Sequence, residues 1–475
     1  MVKYSLMNRL GKLFIFIISA IIFGFSCAGK VSADNKFGIH ILEPAEVSKA
    51  TELVNSSGGD WGYVTFVLRE DDLDGAKWQQ FFDDCRRFHL IPIARLATKM
   101  NQAGFWERPT IEGLEKWPAF LNSLNWPTKQ QIVVLFNEPN HAKEVGGELN
   151  PEYFAQVSDQ LIDLFHRQNS NFLVLNAGFD QAAGNSRDTL EETSFLSRMN
   201  SSVPGIFNKF DGWASHSYPN HGFVGLPSDT QRGSIKGYEW ELEFLKTLGV
   251  DKDLPIFITE TGWPHKEGSQ NLNGFYNQNK VAEFFQEAFE LWQKDDRVKA
   301  VTPFVLNYPV APFANFSWLR QDGSSYPQYD RVLGIAKEKS EPEQVRSFTI
   351  TKLKVIDFLP ADYVFKGKVV IKNTGQWIMG ERGEFELKLD QPQKDGLKIS
   401  GAKISQGDLL FPGDEKELDL IIETGSKSEE YQFSVDDQQH TIYVFKPWEL
   451  KNQEVSLWQQ IKTKIKLWWY EFRER

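Results

Sequence analysis

The chain has 475 residues, of which 41% are hydrophobic, 14% aromatic and 25% charged, a profile too apolar for a disordered tail or linker. Its 53 Lys and Arg against 64 Asp and Glu leave a net charge of −11, which repels a phosphate backbone and argues against nucleic acid as a partner. One large and one small domain are expected, since α/β barrels run to about 250 residues or more as one unit.

At the N-terminus, Lys3, Arg9 and Lys12 precede an apolar run from Leu13 to Phe25, and Val31-Ser32-Ala33 stands before Asp34. A basic stretch, an apolar stretch and small residues at the junction make up a secretory signal. Residues 1–33 therefore read as a signal peptide. Loss of Lys3, Arg9, Lys12 and Lys30 would take the net charge from −11 to −15. An uncleaved signal anchor is the competing reading, because the run continued to Gly29 approaches the ~17 residues of a short membrane span. Cys27 raises a lipoprotein alternative, for which Gly24-Phe25-Ser26 is a poor lead-in. The expected location is secreted or cell-surface. Cleavage leaves Cys85 alone, so a large core rather than a disulfide must hold the exported chain together. Within the helical pattern Trp78, Phe81, Phe82, Cys85, Phe88, that cysteine reads as a packed hydrophobe.

From Phe37 onward, apolar segments recur at Phe37–Leu42, Trp61–Leu68, Ile91–Leu96, Ile132–Phe136, Phe172–Ala177, Phe210–Ser217, Pro255–Thr261 and Val301–Tyr308. Amphipathic stretches lie between them. In Pro151–Gln168, Asn150 can cap, Pro151 suits the first helical position, and Tyr153, Val157, Leu161 and Leu164 share a face. In Gln278–Gln293, Val281, Phe284, Phe285, Ala288 and Trp292 recur at helical spacing. Eight buried strands alternating with helices predict an α/β fold, a (β/α)8 TIM barrel over residues 34–340.

After residue 340 the helical period gives way to alternation, as in Thr349–Leu353, Lys368–Ile371 and Phe385–Leu389, punctuated by Asn373-Thr374-Gly375 and Pro412-Gly413-Asp414. Residues 347–446 read as a small all-β sandwich, and Lys372–Trp377 with Phe411–Asp414 resembles the immunoglobulin-like modules appended to secreted enzymes. In residues 450–475, Trp458, Ile461, Ile465, Trp468 and Phe472 follow helical spacing with Lys462, Lys464 and Lys466 between them. This amphipathic C-terminal helix suits either a membrane surface or docking on a folded domain.

Polar residues at the C-terminal ends of barrel strands mark the face that carries chemistry. The fourth strand opens into Asn137-Glu138-Pro139-Asn140, the sixth ends in His216-Ser217-Tyr218-Pro219, and the seventh gives Thr259-Glu260-Thr261-Gly262-Trp263-Pro264. Two carboxylates thus stand where apolar strands become loops. In that order the three motifs resemble the clan A glycoside hydrolases, the retaining (β/α)8 group that includes cellulases, β-xylosidases and β-1,3-glucanases.

The resemblance implies Glu138 as acid/base and Glu260 as nucleophile of a retaining β-glycoside hydrolase. Such a mechanism needs a protonated carboxyl at the leaving oxygen and a carboxylate about 5 to 5.5 Å away. It also implies that Asn137 donates to the sugar 2-hydroxyl, that Tyr218 orients the nucleophile, and that His216 lines the same subsite. Arg95 and Arg69 both end strands, and either could be the arginine that supports the nucleophile. Trp263, Tyr308 and Trp318 are candidate sugar platforms, flat faces suited to the C–H faces of sugar rings. The expected partner is an oligo- or polysaccharide and the expected form a monomer. No cofactor is implied, and His40, His141, His216, His221 and His265 show no metal-ligand spacing. Two rivals remain: a barrel that binds glycan without catalysis, and a cell-surface adhesion protein. Substrate, endo or exo cleavage, and hydrolysis or transglycosylation stay open.

Overall fold

The computed structural model describes residues 35–267, 274–391 and 396–446. The signal-peptide and C-terminal-helix readings fall outside these residues. Among them, the chain forms two compact units, one reaching Pro342 and the other starting at Glu343, with Asn125–Lys129 belonging to the second.

In the first unit, strands and helices alternate as β1 Gly38–His40, α1 Val47–Val54, β2 Gly62–Arg69, α2 Gly75–Arg87, β3 Leu90–Ala97, α3 Lys116–Asn122, β4 Gln131–Val134 and α4 Pro151–Gln168. They continue as β5 Phe172–Leu175, α5 Glu192–Ser202, β6 Trp213–His216, α6 Gly237–Thr247, β7 Ile256–Glu260, α7 Gln278–Gln293, β8 Val298–Val301 and α8 Pro327–Leu333. Strands β1 to β5 pair in sequence, as do β6 to β8. Parallel bridges from Leu175 to Gly212 and from Phe37 to Val301 join the two arcs, closing a (β/α)8 barrel.

Alternate strand residues fill it: Tyr63, Ile91, Ile93, Ile132, Val134, Leu173, Leu175, Ala214, Phe257 and Ala300 form one buried cluster. Because side chains alternate along a strand, Arg95 continues the row of Ile91 and Ile93, and His216 that of Ala214. Both polar side chains therefore top the apolar layers at the barrel mouth.

Helix α4 has the predicted bounds, and Asn150 Oδ1 accepts the Tyr153 N–H at 2.9 Å. Its core face is rotated from the expected one: Phe154, Val157, Leu161, Ile162 and Phe165 are buried, while Tyr153 and Leu164 are half-buried. Helix α7 buries all five predicted residues. Side chains of the Val or Phe kind each contribute about 1.5–3 kcal/mol on burial. Cys85 is a buried free thiol on α2, and burial pushes its pKa up, as expected of an inert packed residue.

The eighth strand departs from expectation, pairing over Val298–Val301 rather than Val301–Tyr308. Pro303 has no N–H to continue the ladder. The following chain is instead held by single bonds: His40 N–H donates to the Pro303 carbonyl (3.0 Å), Leu306 N–H to the His40 carbonyl (2.9 Å), and Thr302 Oγ1 to the Thr259 carbonyl (2.9 Å).

The second unit is a β-sandwich of strands β9 Phe348–Lys354, β10 Phe358–Pro360, β11 Val364–Asn373, β12 Phe385–Glu386, β13 Leu389–Asp390, β14 Leu397–Gly401, β15 Lys403–Ile404, β16 Glu415–Thr424, β17 Glu430–Val435 and β18 Gln438–Phe445. The sheets run β14-β16-β11-β9 and β10-β18-β17-β13. Val369, Ile371, Leu418, Leu420, Ile422, Phe433, Val435 and Ile442 alternate into the shared core. The segment read as one strand, Phe385–Leu389, is split: β12 pairs β15, and β13 pairs β17 in the second sheet. Buried Asn373 fixes its turn by donating to the carbonyls of Trp377 (2.8 Å) and Leu410 (3.0 Å).

Candidate active site

Strand β4 stops at Val134 and the chain then turns sharply, with Phe136 at φ 67° and Glu138 at φ 29°. Such values are costly for residues with a Cβ and collect at functional sites. The turn is fastened by Glu138 N–H donating to the Gly178 carbonyl (3.0 Å) and His141 N–H to the Glu138 carbonyl (2.9 Å). Buried Asn140 ties the loops after β4 and β5 together, donating to the Asp180 carbonyl (2.9 Å) and accepting the Asp180 N–H (3.2 Å). The second asparagine of the motif is therefore structural, and it sets the exit direction of Glu138.

Glu260 ends β7 and is 8% exposed. Four groups surround its carboxylate: Tyr218 Oη donates at 3.2 Å, Arg95 Nη1 lies at 3.4 Å, and His216 Nδ1 and His40 Nε2 each lie at 3.9 Å. Burial opposes its charge, but His216, Arg95 and Tyr218 outweigh this and hold its pKa below the usual carboxylate range. His216 Nδ1 also lies 3.0 Å from Glu138 Oε1. Burial disfavours the imidazolium, yet Glu260 and Glu138 raise the pKa of His216 above its ordinary value. Donor atoms of Glu138, His216 and Glu260 all lie within 4.8 Å of one another, so oxygens of the two carboxyls fall inside that distance.

Of the predicted residues, Glu138, Glu260, Asn137, His216, Tyr218 and Arg95 meet at this mouth. Arg69 instead forms a surface ion pair with Asp71 at 2.9 Å, so Arg95 is the arginine beside Glu260. Trp263 is not available as a platform: it is 1% exposed, its Nε1 donates to the Gly225 carbonyl, and it packs between Phe284 and Phe285. Trp318 is equally enclosed, against Phe285. Tyr308 remains partly exposed, in edge contact with Phe313. It ends a run of edge-on rings, Tyr218, Phe223, Phe316, Phe304 and Phe313, that begins at the Glu260 partner.

Sequence reasoning missed two groups. His40, at the end of β1, is fully buried with neither ring nitrogen hydrogen-bonded, and burial together with Arg95 pushes its pKa down to about 3. It is a neutral ring beside the Glu260 charge. Glu144 lies behind Asn137 and accepts from its Nδ2 at 3.3 Å. The Glu138, His216, Glu260 set is chemically able to hold a metal ion. Against this, Nδ1 of His216 is engaged with Glu138, and Arg95 already supplies positive charge beside Glu260.

Residues 95–325 match the family model described as glycosyl hydrolase catalytic core. No curated protein matches the chain. Among solved structures, a family 39 glycoside hydrolase from Bacteroides cellulosilyticus WH2 is similar at 13% identity and a TM-score of 0.44, over 82% of this chain and 81% of that one. A glucosidase from Croceicoccus marinus is similar at 12% identity and a TM-score of 0.46, over 84% and 97%. A family 128 (subgroup II) endo-β-1,3-glucanase from Sorangium cellulosum is similar at 14% identity and 0.41, over 63% and 98%. The matched span runs from Arg95 across both mouth carboxylates, so the mouth lies within the part of the chain that is similar to a glycosyl hydrolase catalytic core.

Proposed function

We propose that this protein is an exported, retaining β-glycoside hydrolase acting on an oligo- or polysaccharide, with Glu260 as nucleophile and Glu138 as acid/base. The observation that carries the reading is the closeness of the two carboxyls: an oxygen of one comes within 4.8 Å of an oxygen of the other, an approach that suits direct attack on the anomeric carbon better than the wider gap, about 6.5–9.5 Å between carboxyl groups, that inversion needs to admit a water. Glu260, held anionic by Arg95 and His216 and oriented by Tyr218, attacks and forms a glycosyl-enzyme. Glu138, more open to solvent with 18% of its side chain exposed, protonates the leaving oxygen and then takes the proton from water. The basic and apolar N-terminal segment supports export.

Product stereochemistry tests the mechanism. Proton NMR of early hydrolysis should show the β-anomer first, and an activated 2-fluoro glycoside should label Glu260. First appearance of the α-anomer would overturn retention. A chain without turnover on any aryl β-glycoside or polysaccharide, unchanged by Glu260→Gln, would point to the glycan-binding alternative. N-terminal sequencing of the exported protein tests removal of residues 1–33.

A further inference from the structure

Glu144 has no part in a two-carboxylate mechanism, yet it is built into the site. It closes the single-turn helix Ala142–Glu144 after β4, and its side chain is 9% exposed. Its Oε2 accepts from Asn137 Nδ2 at 3.3 Å. At the other end of the same carboxamide, Oδ1 accepts from Arg95 Nη1, which lies 3.4 Å from Glu260 Oε1. A continuous line of contacts thus runs from a buried carboxyl, through the asparagine, to the group proposed as nucleophile.

The two ends of a carboxamide are nearly identical in shape, so only its partners decide which way it faces. An arginine can only donate, and an ionised carboxylate can only accept. We propose that Glu144 is a positioning residue for the reaction: with Arg95 it locks the Asn137 carboxamide so that the second Nδ2 hydrogen is offered to the sugar hydroxyl next to the anomeric carbon. This rests on the retaining reading above. A flipped amide would present an acceptor there, and the contact that strengthens in the transition state would be lost. Burial and the neighbouring Glu138 raise the pKa of Glu144, but a neutral carboxyl still accepts through its carbonyl oxygen. The acceptor, rather than the charge, is therefore what positions Asn137.

The test compares Glu144→Ala and Glu144→Gln on an aryl β-glycoside and on its 2-deoxy analogue. Glu144→Ala should lower kcat on the parent glycoside about 10- to 100-fold with KM changed less than about threefold, the scale of a small misplacement in an active site. On the 2-deoxy analogue the loss should fall below about threefold. Glu144→Gln, which keeps an acceptor, should stay within about threefold of wild type on both. Equal losses on the two substrates, or a Gln variant as impaired as the Ala variant, would overturn the proposal. A crystal structure of Glu144→Ala supplies a readout independent of turnover: Asn137 turned away from Arg95 supports positioning, and an unmoved carboxamide refutes it. Absence of wild-type turnover would sink the retaining reading and leave that structural comparison decisive.

Discussion

His216 Nδ1 lies 3.0 Å from Glu138 Oε1 and 3.9 Å from Glu260 Oε2, so one buried imidazole stands against both mouth carboxylates. Its pKa is raised because those two carboxylates outweigh burial. A raised histidine contributes stability that is fully present below its ordinary value and lost as pH rises through the folded value. Titrating His216 by NMR should give a folded pKa above 6.5, and Glu260→Gln should lower it. A His216 pKa at or below the ordinary value in wild type would contradict this account.

Gly178 is expected to be as sensitive as a site residue. Its carbonyl accepts the Glu138 N–H, and a Cβ added there would lie 2.1 Å from His216 Cδ2. Gly178→Ala must displace the ring or the loop, destabilising the fold by about 1–3 kcal/mol. It should also lower kcat about 10- to 100-fold by shifting His216 and Glu138. Denaturant unfolding and steady-state kinetics on the same preparation check both, and an unchanged kcat would show that the His216 contact is dispensable.

A second pair of acids lies away from the mouth. Glu192 on α5 and Glu241 on α6 are both fully buried, and Ser215 Oγ donates to Glu241. Burial, and for Glu192 also the facing Glu241, raises both pKa values. Raised acids keep their full contribution below the usual carboxylate range and lose it as pH rises through the folded values. Glu192→Gln, which keeps the shape and donates to Glu241, should therefore stabilise the barrel by about 1–3 kcal/mol at pH 8 relative to pH 4. Thermal melts at the two pH values decide it; an equal effect at both would show that the raised pKa of Glu192 does not shape stability over this range.

Activity should survive exhaustive chelation. Arg95 lies 3.4 Å from Glu260 and supplies the positive charge that a metal would otherwise bring. Dialysis against EDTA should leave kcat within about twofold, since the proposed retaining hydrolysis requires no ion. A loss restored by one added divalent cation would reassign Glu138, His216 and Glu260 as ligands.

The bounds of α4 and α7 were legible because capping residues and helical spacing are local signals. Three motifs at strand ends were legible because a barrel directs every strand's C-terminal end to one face. What local pattern could not supply was side-chain direction. Trp263 stands three residues after Glu260, yet it points into the helix layer against Phe284 and Phe285. The end of β8 was misplaced because the apolar run continues past Pro303, where pairing stops but burial does not. His40 carried a usable signal, a polar residue ending an apolar strand, but no motif around it. Glu144 sits on a single turn too short to leave a periodic trace.

The first and last strands of the barrel are sealed at His40, whose N–H and carbonyl bond the chain on either side of the Phe304–Val305 peptide. The ring of that same residue lies 3.9 Å from Glu260. The seam of the barrel and the surroundings of the Glu260 carboxylate are thus one structure, read from backbone on one side and side chain on the other. Fraying that begins at the N-terminal strand would be felt at Glu260 while most helices are still packed. On gradual heating, catalysis should fade ahead of the loss of helical signal, which makes activity the more sensitive gauge of whether the ring is closed.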